Sequence, residues 1–131
     1  MATITIGGER TNVTLHAHLL PRPDPGPRMM QAKGSFCAGR LNGEFDTLLE
    51  SPERFIDELS TMAHTLKGDA YWHGVDDDVR IHLQCKSLGA VDVEAKFHDF
   101  SSFDATIRFD IDQSYLPPII ASLRSTLSVQ Q

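Results

Sequence analysis

Apolar and polar residues alternate along much of the chain. Over Asn12 to Leu20, Val13, Leu15, Ala17 and Leu19 fall on one side, and Thr14, His16 and His18 on the other. A period of two is that of a β-strand with one face in a core and one in water. The same pattern returns in Val79, Ile81, Leu83 and Cys85 against Arg80, His82 and Gln84. Val91, Val93, Ala95 and Phe97 oppose Asp92, Glu94, Lys96 and His98; Ala105, Ile107, Phe109 and Ile111 oppose Thr106, Arg108 and Asp110. Shorter runs read as strands at Thr3 to Ile6, closed by Gly7-Gly8, and at Ala70 to His73. Met29 to Leu41 reads as an interrupted strand with Ala32, Gly34, Phe36 and Ala38 on one face. Gly34 and Gly39 there suggest a bulge or a close backbone approach. Asn42-Gly43 is a tight-turn dipeptide, and Glu44 to Leu49 adds a short strand.

Two segments change period. Ser51 can cap a helix that Pro52 opens and Glu53 favours at its positive end. Phe55, Leu59, Met62 and Leu66 then recur at helical spacing, with Ile56 and Ala63 beside them, a stripe that reads as core. Gly68 sits where a left-handed residue would end this helix. The second helix begins unusually, because Pro117 and Pro118 fit only a first turn, where backbone N–H groups have no helical partner. Asp112 or Ser114 can cap it, with a one-turn preamble. Tyr115, Ile119, Leu123 and Leu127 form its stripe, flanked by Leu116 and Ile120. Burying one such side chain fully contributes about 1.5–3 kcal/mol.

Short links between the runs favour antiparallel neighbours. The expected fold is a single α+β domain over residues 1–131, with one mostly antiparallel sheet of six or seven strands and both helices on one of its faces. Pro21 to Arg28 carries four of the chain's seven prolines and reads as an exposed loop.

Composition narrows the classes. At 131 residues the chain can bury a core without staples. The net charge of −6 repels nucleic acid and mildly favours a basic partner. Cys37 and Cys85 are too few for a disulfide framework, and no CxxC or Cys/His zinc motif occurs. No signal peptide is visible at the start, and no apolar run approaches a membrane span. A reduced, cytosolic protein without membrane or nucleic-acid partners is the expectation.

Candidate chemistry is sparse. His16 and His18, two apart on a strand, project from one face and could grip a metal ion, with His82 on the same polar side. Zinc needs a third ligand, which spacing does not supply. Asp76-Asp77-Asp78 lacks calcium-loop spacing and reads as a solvated turn. Asp110 and Asp112 share a face, but Asp112 has a simpler use as a cap. Nucleophile and nucleotide motifs are absent. Tyr71 and Trp72 are neighbours on a strand, so one faces the core and the other could anchor a partner.

The order of these signals resembles the WapI-type immunity proteins, which neutralise the toxic C-terminal domain of a bacterial toxin. The similar features begin with the strand at Gly34-Ser35-Phe36 and the helix with Phe55, Leu59 and Leu66 closed by Gly68. An acidic turn, a strand at Val79 to Leu83 and another after Gly89 follow. The most specific part is Phe109-Asp110-Ile111-Asp112-Gln113-Ser114-Tyr115-Leu116, a strand running into the last helix. The likeness spans about Asn12 to Leu127, with the Pro21 to Arg28 loop as a departure. It implies no catalysis and no cofactor. It implies stoichiometric binding of a cognate toxin domain, such as a nuclease with a basic surface, by a monomer or weak homodimer. Charge and alternation nominate Asp92, Glu94, Arg108 and Asp110, with Asp76, Asp77 and Asp78, as the contact face. The rival readings are a small metal-dependent enzyme using His16 and His18, and an adaptor subunit that exposes Trp72 or the final helical stripe.

Overall fold

A computed structural model describes residues 2–21, 28–50, 52–99 and 103–129. The alternating runs fold as eight strands: β1 (Ala2–Gly7), β2 (Thr11–Leu19), β3 (Met29–Ala38), β4 (Leu41–Glu50), β5 (Asp69–His73), β6 (Val79–Cys85), β7 (Ala90–Asp99) and β8 (Phe103–Asp112). Helix α1 (Pro52–Thr65) lies between β4 and β5, and α2 (Leu116–Val129) follows β8. Each half of the chain is a meander in which every strand pairs antiparallel with the next. The result is two four-stranded sheets, β1-β2-β3-β4 and β5-β6-β7-β8.

This corrects the expected single sheet. Alternation demands only that one face of each strand be buried, and two sheets facing each other satisfy that demand as well as one sheet under helices. The division falls where α1 interrupts the meander. The chain just past β5 meets β4 through one bridge, Leu49 with Gly74, and a bond from the Val75 N–H to the Leu48 carbonyl at 2.7 Å, while from β5 the Trp72 indole and His73 reach Glu50. Thr47, itself buried, adds a side-chain bond from Oγ1 to Asp78 Oδ1 at 2.8 Å. The helices also divide their contacts. They pack on each other, α1 along β5 and α2 along β1, the first strand of each sheet.

One core lies between these layers, drawn from both sheets and both helices. Its seam is aromatic. The Phe97 ring of β7 stacks on Phe36 of β3 at 4.3 Å and tilts against Phe45 of β4 at 4.9 Å. Register explains why β3 and β4 carry glycines here. Phe36 pairs with Gly43, and Gly34 with Phe45. A Cβ built on Gly43 would lie 2.7 Å from the Phe36 ring, and one on Gly34 would lie 2.5 Å from the Phe45 ring. Each glycine is therefore a floor for the opposite aromatic. The turn expected at Asn42-Gly43 sits instead at Gly39-Arg40, between the paired Ala38 and Leu41, with Gly39 at φ 64°. The interrupted strand thus ends at Ala38, and β4 is a full strand.

The helix ends are set locally. Ser51, the expected cap of α1, lies outside the described residues, as do residues 22–27 of the proline-rich stretch. α1 stops at Thr65, and Leu66, not Gly68, takes the left-handed conformation first, at φ 58°. At the other helix, Asp112 accepts the Ser114 N–H at 2.8 Å and caps a one-turn preamble, Gln113–Tyr115, before Pro117 and Pro118 occupy the first turn of α2. That bond holds the Asp112 carboxyl below its ordinary range. Tyr115 is left exposed by the preamble, so the buried stripe is Leu116, Ile119, Ile120 and Leu123.

Candidate protein interface

The outer face of the second sheet collects most of the nominated residues. Register sets Tyr71, His82, Glu94 and Arg108 in one row across β5 to β8, and Asp69, Gln84, Asp92 and Asp110 in the next. His82, Gln84, Asp92, Glu94, Arg108 and Asp110 line a shallow depression of about 380 Å³. Four of the seven nominated positions, Asp92, Glu94, Arg108 and Asp110, therefore share one site, because residues two apart on adjacent strands project together.

The triple-aspartate turn lies at the opposite end of this sheet, and its members have separate tasks. Asp77 pairs with the Arg80 guanidinium, which holds its carboxyl below the usual range. Asp78 is tied to Thr47 across the sheet junction. Asp76 is exposed. Asp77 and Asp78 border a second depression of about 360 Å³ with Arg80, Lys96, His98 and Asp104. Its charges are mixed, whereas the first depression is acidic at its Asp92 side.

Charges on the face are mostly paired. Arg108 Nε lies 2.7 Å from Glu94, lowering that carboxyl, and Lys96 approaches it at 3.5 Å. His82 Nε2 lies 2.8 Å from Asp69, and Lys86 lies 3.5 Å from Asp92. Exposed pairs of this kind contribute little to stability. Asp110 is different. It stands directly opposite Asp92 on the neighbouring strand, and the facing carboxyl pushes its own above the ordinary range. Like charges directly opposite are destabilising.

The sign of that effect gives a prediction. A carboxyl whose folded-state pKa is raised holds its proton more tightly folded than unfolded. The fold is therefore most favoured at low pH, and that advantage is lost as pH rises through the raised pKa. Asp110→Asn should raise or leave unchanged the melting temperature at pH 7, and the difference from wild type should vanish near pH ~3, where the Asp110 carboxyl is protonated in both the folded and the unfolded chain. Thermal scans at the two pH values read it; a variant less stable at pH 7 would show that the carboxylate serves the fold.

Other candidates disperse. His16 and His18 lie on the outer side of β2 in the first sheet, with His16 Nδ1 against Thr3 Oγ1 at 3.0 Å. His82 is on the other sheet, so the expected shared face does not exist. Among the described residues no three His, Cys, Asp or Glu side chains converge as a metal-binding group. Trp72 is buried and Tyr71 faces outward, 5.9 Å from His82 between ring centroids. Sequence reasoning missed Leu88, a fully exposed apolar side chain at 103% relative accessibility. The available signal was a leucine in the Ser87 to Gly89 turn.

The profile of the immunity protein WapI-like family matches residues 7–129. The chain belongs to this family. The match extends from the end of β1 to the end of α2, so the WapI-like assignment takes in both sheets and both helices. No curated protein and no solved structure matches the chain. The family gives this WapI-like chain an immunity function in general.

Proposed function

We propose that this protein is a non-catalytic immunity protein that binds a cognate toxin domain stoichiometrically and covers its basic active surface. The family match carries the reading, and the acidic row on the outer face of the second sheet supports it. Asp69, Asp92 and Asp110 there oppose a cationic surface without offering chemistry of their own. Carboxylates so placed would speed encounter with a basic protein and stand in for phosphates at a nuclease-like surface. The place of action is the cytosol of the producing cell. Among the described residues no helix is long and apolar enough to cross a membrane.

The test pairs this chain with a candidate toxin domain taken from the genes flanking its own, inactivated for handling. The expected result is a one-to-one complex and protection of cells expressing active toxin. Asp92→Lys with Asp110→Lys should slow association roughly tenfold at low salt and much less at high salt. Unchanged association rates at both salts would remove this face from the interface. Absence of any complex would remove the reading itself.

A further inference from the structure

Three turns leave the second sheet at one end: Leu66 to Gly68 before β5, Lys86 to Gly89 between β6 and β7, and Gln113 to Tyr115 after β8. They are linked, since the Cys85 N–H donates to the Gly68 carbonyl at 3.0 Å, and Gly89 sits against the Gln113 side chain. Each presents an apolar group to solvent: Leu66 at 48%, Leu88 at 103% and Tyr115 at 41% accessibility. Leu66 and Leu88 both have left-handed backbone, at φ 58° and 63°, a conformation that disfavours leucine. Among the described residues, the one buried side-chain acceptor without a partner is Gln113 Oε1, in this same group of turns.

None of these features helps the fold. An apolar side chain in water gains nothing from burial, a left-handed leucine is strained, and an orphaned carbonyl costs desolvation. Local rules broken together at one place mark a surface kept for another purpose. The charge beside it says for what. The row immediately behind these turns, Asp69, Gln84, Asp92 and Asp110, holds three carboxylates in four positions.

We infer that this end of the second sheet is the anchoring part of the toxin interface, with Leu88 inserting into an apolar pocket whose rim carries a lysine or arginine received by Asp92 and Asp110. The inference rests on the immunity reading and adds the chemistry of the partner's site: an apolar hole next to a cation. A side chain that fills a desolvated pocket can carry much of the binding energy, and its loss shows mainly in the dissociation rate.

Leu88→Gly is a clean variant, because glycine accepts left-handed backbone without strain. Asparagine tolerates it nearly as well and retains a side chain, so Leu88→Asn controls for added flexibility. Against an inactivated candidate toxin domain taken from the genes flanking its own, both variants should melt at or above the wild-type temperature and dissociate at least about tenfold faster. Equal dissociation rates for wild type and both variants would overturn the anchor while leaving the immunity reading intact. A wild-type chain that forms no complex would overturn both. A concentration-dependent dimer of wild type that Leu88→Gly abolishes would identify a second copy as the occupant and overturn the inference.

Discussion

Phe97→Ala is expected to lower the unfolding free energy by about 3–5 kcal/mol, the usual loss for a buried phenylalanine truncated to alanine. The whole stability of a domain is on the order of 5–15 kcal/mol, so this variant approaches the threshold of folding. The reason is position as much as size. Phe97 comes from the second sheet and lies against Phe36 and Phe45 of the first, so its ring is the material of the inter-sheet seam. Neither neighbour can swing into the vacancy freely, since each is seated over a glycine on the adjacent strand. Urea unfolding followed by Trp72 fluorescence measures the loss. A change below about 1 kcal/mol would mean that the sheets do not meet through these rings.

The same variant separates stability from recognition. Phe97 is buried at 2% accessibility and can touch no partner. Loss of protection in Phe97→Ala should therefore follow the folded fraction, and cooling should restore it. Asp110→Asn should do the reverse, with the fold intact and the association slowed. That contrast follows from where the chain places its charges. The acidic pair lies on a face that the core does not need.

The strands were legible because each has one wet side. Val79 to Cys85 and Asn12 to Leu20 write burial directly into their alternation, and the structure buries the residues so marked except Cys85, which is half-buried. How many sheets they form was not legible. The inward residues of β2 and β7 would look the same under one sheet or two, and only the thin β4–β5 junction decides. Glycine misled in two places for one reason: its small size and its backbone freedom leave the same letter in the sequence. In the sequence Gly43 reads as a turn residue, although it is a floor for Phe36; Gly68 reads as the helix stop, although Leu66 turns the chain first. The candidate interface was half legible. Alternation brought Asp92, Glu94, Arg108 and Asp110 together, whereas Asp78 had to be seen in three dimensions to be recognised as a tie to Thr47. Leu88 needed a backbone angle and an accessibility, which no pattern of letters contains.

Trp72 joins the pieces that Phe97 does not reach. Its ring stacks on Phe55 of α1 at 4.8 Å, and its indole N–H donates to the Glu50 carbonyl at the end of β4. It therefore holds α1 and the last residue of the first sheet to the edge strand of the second. Trp72→Ala should lose about 3–5 kcal/mol through the cavity and the lost stack. Trp72→Phe is the more telling change. It retains an aromatic ring for Phe55 and removes the donor, leaving the Glu50 carbonyl without the indole, at a loss of about 1–3 kcal/mol. A double-mutant cycle with Phe55→Leu isolates the stack, with an expected coupling of about 0.5–1.5 kcal/mol. Trp72 is the chain's one tryptophan, so the native fluorescence reports this site alone. It should be blue-shifted and shielded from acrylamide; a red, readily quenched emission would place the ring in water and undo the proposed joint between helix and sheets.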